Sequence, residues 1–226
     1  MDSLDLGPVW LSLKLATVTV VILLALATPL AWWLAHTRSR SRPILEAVVA
    51  MPLVLPPTVL GFYLLILLGP AGPIGGFWVA LTDTTLTFSF MGLVIASIIY
   101  SLPFAVQPLQ TAFENIGKAP LEAAATLGAS PFQQFLKVAS PLARRGYLSA
   151  IALSFAHTLG EFGVVLMVGG NIPDKTRVIS IAIFEDVETV NYAQAHVLSA
   201  GLLIFSFVLL LALFATNSYK PTGRTA

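Results

Sequence analysis

Apolar residues in this chain come in long blocks, and the polar residues collect between the blocks instead of alternating with them. Five blocks stand out, at about 9–35, 44–68, 88–109, 142–168 and 195–215. Some 20 apolar residues in helical form cross a hydrocarbon layer about 30 Å thick, so each block predicts a membrane-spanning helix, the longer ones with room for tilt. Lipid offers no hydrogen bonds, which leaves helices and closed barrels as the spanning forms. Blocks of this length predict an all-α polytopic membrane protein, a single membrane domain over residues 1–226. Asp2 and Asp5 precede the first block and no basic residue comes before Lys14. That is the wrong start for a cleaved signal, and the first block is expected to stay as a span.

The blocks are not uniform. Pro52, Pro56 and Pro57 fall inside the second. Proline removes a backbone hydrogen bond and kinks a helix. Two readings stay open there: a kinked packing helix, or a broken one whose irregular backbone near Thr58 lines a pathway. Ser97 and Ser101 give the third block small-xxx-small spacing, and Pro103 and Pro108 should bend its end. The fourth has a bulky face through Tyr147, Ile151, Phe155 and Leu159, and a small or polar face through Gly146, Ala150 and His157. Bulk toward lipid and small residues toward protein is the membrane arrangement. Residues 69–87 read as a Gly/Pro-rich connection. Residues 171–191 leave the membrane, since their apolar part, 178–184, is too short to span. Trp32 and Trp33 suit an interfacial belt.

Composition confirms the class and narrows the chemistry. The chain is 57% hydrophobic and only 10% charged, with mean hydropathy +0.86; soluble domains carry about 25% charged residues. There is no cysteine, and His36, His157 and His196 lie in separate segments without metal-ligand spacing. No catalytic or metal site is predicted. No GxxxxGK[ST] is present, so ATP hydrolysis is not expected on this chain. The basic residues follow the spans instead of gathering on one surface, which argues against a nucleic-acid partner.

Net charge is only +1, but its distribution is uneven. With five spans, Arg38, Arg40, Arg42, Lys118, Lys137, Arg144, Arg145, Lys220 and Arg224 fall on one side. Lys14, Lys175 and Arg177 fall on the other. The positive-inside rule then places the N-terminus outside and the C-terminus in the cytoplasm. Glu161 is the acidic residue set deepest in a span. An intramembrane carboxylate needs a partner or a cavity. His157 at i−4 and Lys14 at matching depth are the candidates, with backbone hydrogen bonding as the third reading; the role expected is structural.

The polar stretch at about 110–141 carries the most explicit local signals. Pro120 suits the start of a helix. Gly128 sits where a left-handed C-cap belongs. Ser130, Pro131 and Gln133 give an N-cap, a proline at N1 and capping-box spacing. Ser140-Pro141 looks like another restart. Two short helices joined by a bend are predicted.

With Glu122, Ala123, Ala124 and Gly128 in register and Pro141 closing the segment, this stretch resembles the EAA loop of ABC-importer permeases; Ser140 departs from the usual leucine. The segments MPLVLPPTVLG (51–61), YSLPF (100–104), HTLGEFG (157–163) and GNIPDKT (170–176) look like the molybdate permease family, related to the sulfate and thiosulfate permeases. The resemblance implies a type I importer fold whose coupling helix, with Ser130 and Pro131 opening its second half, docks on a cytoplasmic ATPase. It implies a homodimer in the inner membrane, two ATPase subunits holding ATP and Mg, and an external oxyanion-binding protein. The cargo implied is molybdate, with tungstate beside it and sulfate or thiosulfate as the alternative. A tetrahedral oxyanion needs hydrogen-bond donors. Thr58, Ser97, Ser101, Ser154 and Thr158 are the candidate path residues, although each hydroxyl can also bond its own helix. A secondary transporter or channel is disfavoured by the lack of a visible inverted repeat. An assembly subunit would need no coupling loop.

Overall fold

Tandem proline, not single proline, breaks the second span. The computed structural model describes residues 5–217; Asp2, Lys220 and Arg224 lie outside them. Pro29 sits within an unbroken α1 (Gly7–His36), and Pro103 and Pro108 within an unbroken α5 (Phe90–Ile116). At Pro56-Pro57 the outcome differs. A residue before proline is pushed out of the helical region, and here Leu55 and Pro56 are both affected in turn, with ψ of 135° and 136°. The chain therefore stops α2 (Arg42–Val54) and restarts as α3 (Pro57–Leu68), bent by 111°.

Residues 69–87, expected as a plain connection, contain the ten-residue α4 (Pro73–Thr82), opened by its proline and closed by Asp83 in the left-handed region. The third span reaches Ile116, seven residues beyond its expected end, because single prolines do not stop it. Then come α6 (Ala119–Thr126) and α7 (Pro131–Gln134). Ser140-Pro141 does not restart the chain. Pro141 has no N–H to give to the carbonyl one turn back, and the helix widens upstream into a π segment, Phe135–Ala139, in which Ser140 N–H reaches Phe135 O. It runs on through α8 (Ser140–Leu142) into α9 (Arg144–Gly160). The fourth span is broken too, by 61°, between α9 and α10 (Gly163–Gly169). A short α11 (Ile179–Glu188) precedes α12 (Tyr192–Asn217). Among the described residues three helices are long and apolar enough to cross a membrane unbroken, and each bent pair taken as one span gives five.

The core is the packing of α1, α5 and α9. Leu23, Ala27, Ala31 and Leu34 form one buried stripe of α1 against Ala105, Val106, Leu109 and Phe113 of α5, with Ala150 of α9 closing the cluster. Small residues let the backbones approach, which is what drives helix association when lipid is as apolar as leucine. Gly146 shows how close: a Cβ there would lie 2.4 Å from that of Ala112. α12 stands at the edge, its Val208, Leu211 and Phe214 exposed, as a lipid-facing helix should be. At the end of the bundle far from α6, Ser12 Oγ accepts the Ile179 N–H at 2.7 Å and ties α11 to α1.

Candidate functional site

The exposed turn between α6 and α7 is built by two complementary caps. Gly128 has φ +83°, open to glycine at little cost. Its N–H reaches Ala125 O at 2.9 Å, and Ala129 N–H reaches Ala124 O at 3.0 Å, the paired bonds of a Schellman ending. Ser130 then accepts from Gln133 N–H at 3.3 Å, while Gln133 Oε1 accepts from Ser130 N–H at 3.0 Å, with Pro131 opening α7. Glu122 lies in the first turn of α6, where a carboxylate favours the helix dipole. Glu122, Ala123, Gly128, Ser130 and Pro131 are exposed and Ala124 is half-buried. Beside them Leu127 is 89% and Phe132 70% exposed. Two large apolar side chains held outward by the turn form an exposed knob.

An aromatic cluster fixes that knob to the bundle. Phe135 meets Trp32 of α1 with ring centroids 5.1 Å apart, Trp32 meets Phe113 of α5 at 5.1 Å, and Phe113 meets Tyr147 of α9 at 6.1 Å. Trp32 thus packs between the helices, while Trp33 beside it is exposed. Displacement of the turn has a stiff route into all three core helices.

The two breaks lie against each other. A Cβ on Gly163 would come within 2.7 Å of Pro57 Cβ, and one on Gly61 within 2.8 Å of Met167 Cβ. From there α3 and α10 run on together, Leu64 and Leu68 packing with Val164 and Val168. Glu161 occupies the second break at 7% exposure, its Oε1 accepting Val164 N–H at 2.8 Å. The carboxylate caps α10. Neither expected side-chain partner is used: Lys14 Nζ lies over the Phe90 ring, 4.9 Å from its centroid, and His157 bonds elsewhere. Backbone N–H groups freed by the break are nearer to Glu161 than any cation, which is why the cap prevails.

Four of the five candidate path hydroxyls sit on the packed helices α5 and α9. Ser101 Oγ lies 2.9 Å from Thr158 Oγ1 and 3.0 Å from His157 Nδ1. These bonds cross between helices, unlike the local bonding each could have made. Ser97 and Ser154 are buried and their hydroxyls have no hydrogen-bond partner among the described residues. Thr58 is separate, exposed at the start of α3.

Sequence reasoning missed one polar assembly, at the α6 end of the bundle. Arg42 Nε bonds Glu46 at 2.8 Å and its terminal nitrogen bonds Glu114 at 2.6 Å. Gln110 Nε2 also reaches Glu46, at 2.7 Å. The set clamps α2 to α5. Its signal was the i,i+4 spacing of Arg42 with Glu46 and of Gln110 with Glu114. Among the described residues no group of His, Asp and Glu could hold a metal ion.

The family model for the binding-protein-dependent transport system inner membrane component matches residues 27–220. The chain is 58% identical over 216 residues to the molybdenum transport system permease protein ModB of Azotobacter vinelandii, covering 96% of each. It is 36% identical over 191 residues to the sulfate transport system permease protein CysT of Escherichia coli, covering 84% of this chain and 68% of that one. Among solved structures, the MetNI methionine ABC transporter in its inward-facing form matches with TM-score 0.71 at 18% identity, covering 94% of both chains. A bacterial alginate ABC transporter matches with TM-score 0.75 at 15% identity, covering 94% of this chain and 78% of that one. Broken spans, exposed turn and sequence agree: the chain belongs to the family of inner-membrane components of binding-protein-dependent transport systems.

Proposed function

We propose that this chain is the permease subunit of an ATP-driven molybdate importer, with tungstate as a second cargo. The observation that carries the cargo is the 58% identity, along nearly the whole of both chains, to a molybdenum permease. The sulfate permease relative stands at 36%, which makes sulfate the second reading. The chain works as a homodimer with two ABC ATPase subunits, which hold the ATP and Mg, and receives its anion from an extracytoplasmic binding protein. The basic residues set the direction: the α6–α7 turn faces the cytoplasm, where ATP is, and the N-terminus faces out. Leu127 and Phe132 are the anchors that enter the ATPase. A few side chains desolvated at the centre of a contact supply most of its binding energy. The stiff aromatic cluster behind them supports a mechanism in which ATPase closure moves α1, α5 and α9 together and exposes the path alternately to each side.

The test is ATPase stimulation in reconstituted vesicles by binding protein loaded with molybdate, tungstate or sulfate. Stimulation by molybdate and tungstate above sulfate is expected. Stimulation by sulfate alone would transfer the chain to the second reading, and none by any anion would reject an oxyanion importer.

A further inference from the structure

One face of α5 is polar where a lipid-facing helix would be apolar. Tyr100, Phe104, Gln107, Thr111 and Glu114 follow at spacings of four and three, which keeps them on a single stripe. The first two are half-buried and the last three exposed. Gln107 lies nine residues from the end of α5, about 13 Å in along the helix axis. Hydrocarbon against this face would leave its amide unsatisfied. The stripe therefore faces water or protein. Gln107, Thr111 and Glu114 of this stripe, with Gln110, line a groove of about 350 Å³ together with Glu46, Val49 and Ala50 of α2; Phe104 lies one helical turn beyond it.

His157 stands at the head of this stripe. Its ring stacks on Phe104 with centroids 4.0 Å apart and an interplanar angle of 26°, and meets Tyr100 at 4.8 Å. Ser101 fixes Nδ1 at 3.0 Å, and Thr158 in turn bonds Ser101 at 2.9 Å. The Nε2 edge makes no hydrogen bond among the described residues. A ring clamped on two sides and bonded at one nitrogen is pre-organised to use the other.

We infer that His157 is an anion-contact residue of the transport path, donating Nε2–H to the passing oxyanion beside Phe104, one helical turn beyond the α2–α5 groove. This rests on the oxyanion reading above. The inferred arrangement is the one in which Thr158 O–H donates to Ser101 Oγ and Ser101 O–H donates to Nδ1, leaving the ring proton on Nε2. Gln107 and Thr111 continue the donor series along the groove. All are neutral; Arg42, at the far end, is engaged by Glu46 and Glu114. Neutral donors hold a doubly charged anion weakly enough to release it, as conduction requires.

The experiment measures molybdate uptake into vesicles by the full complex of this chain, its ATPase and the binding protein, with His157→Phe and His157→Gln. Phenylalanine keeps the stacking and loses the donor; glutamine restores one. His157→Phe should raise the KM for molybdate about ten-fold or more, the worth of one hydrogen bond to a charged group. His157→Gln should recover most of that loss. An unchanged KM in His157→Phe, or an equal loss in both variants, overturns the inference. Co-purification with the ATPase reports assembly. If His157→Phe does not assemble, Ser101→Ala decides: it frees the tautomer and should raise KM several-fold, and a wild-type KM would overturn the inference. Absence of uptake by the unaltered complex would instead reject the importer reading and this inference together.

Discussion

Glu161 is where a single side chain decides a local structure. Its carboxylate is buried and serves as the cap of α10. A cap needs an acceptor, not a charge. Glu161→Gln should therefore keep close to wild-type stability, because the amide oxygen can still accept Val164 N–H. Glu161→Ala leaves that N–H unpaired and should cost about 1–3 kcal/mol. Thermal melting of the purified protein in detergent distinguishes the two. Lys14→Met should combine with Glu161→Gln additively, since Lys14 sits over Phe90 and not beside the carboxylate. A coupling energy well above the usual 0.3–0.5 kcal/mol scatter for independent sites would restore the ion pair. The sequence could place Glu161 inside a span and say that it needed a partner. It could not choose among three partners, because that choice depends on the break at Glu161 that frees the backbone donors.

At the scale of elements, turns were more legible than breaks. The α6–α7 turn was readable residue by residue: glycine for the positive φ, then serine, proline and glutamine at fixed offsets. All of its interactions are local, so spacing alone determines them. Gly128→Val should strain the backbone by about 1–2 kcal/mol and weaken the hold on the ATPase, read as reduced co-purification with insertion into the membrane unchanged. Normal co-purification would show that the turn does not set the docking geometry. The break at Pro56-Pro57 was only half legible. Proline marked the position, but the contact of one break with the other is tertiary, and Gly163 betrays it only through the space it leaves for Pro57. Gly163→Ala should overpack that junction and destabilise by about 1–3 kcal/mol. Unchanged melting would mean that α3 and α10 shift apart freely. The π segment before Pro141 and the α4 helix were not legible, the first because proline signals a helix start more often than a widened turn, the second because glycines dilute its helical pattern.

At the scale of the molecule, three close-packed helices carry two broken spans, an exposed apolar knob at one end and α11 at the other. The absence of cysteine makes orientation directly measurable. A single cysteine replacing Leu127 should react with an impermeant thiol reagent from the cytoplasmic side, and one replacing Asp186 from the outside. The reverse pattern would invert the topology. The proposed cytoplasmic placing of the knob rests on the uneven distribution of lysine and arginine that a net charge of +1 conceals.

The most direct measurement is uptake of radiolabelled molybdate into vesicles holding this chain, its ATPase and a saturating binding protein, with ATP inside or outside the lumen. The account predicts accumulation against a gradient that needs ATP on the side of the α6–α7 turn, is competed by tungstate, and resists an equal excess of sulfate. Accumulation without ATP, or uptake that sulfate suppresses and tungstate does not, would contradict it.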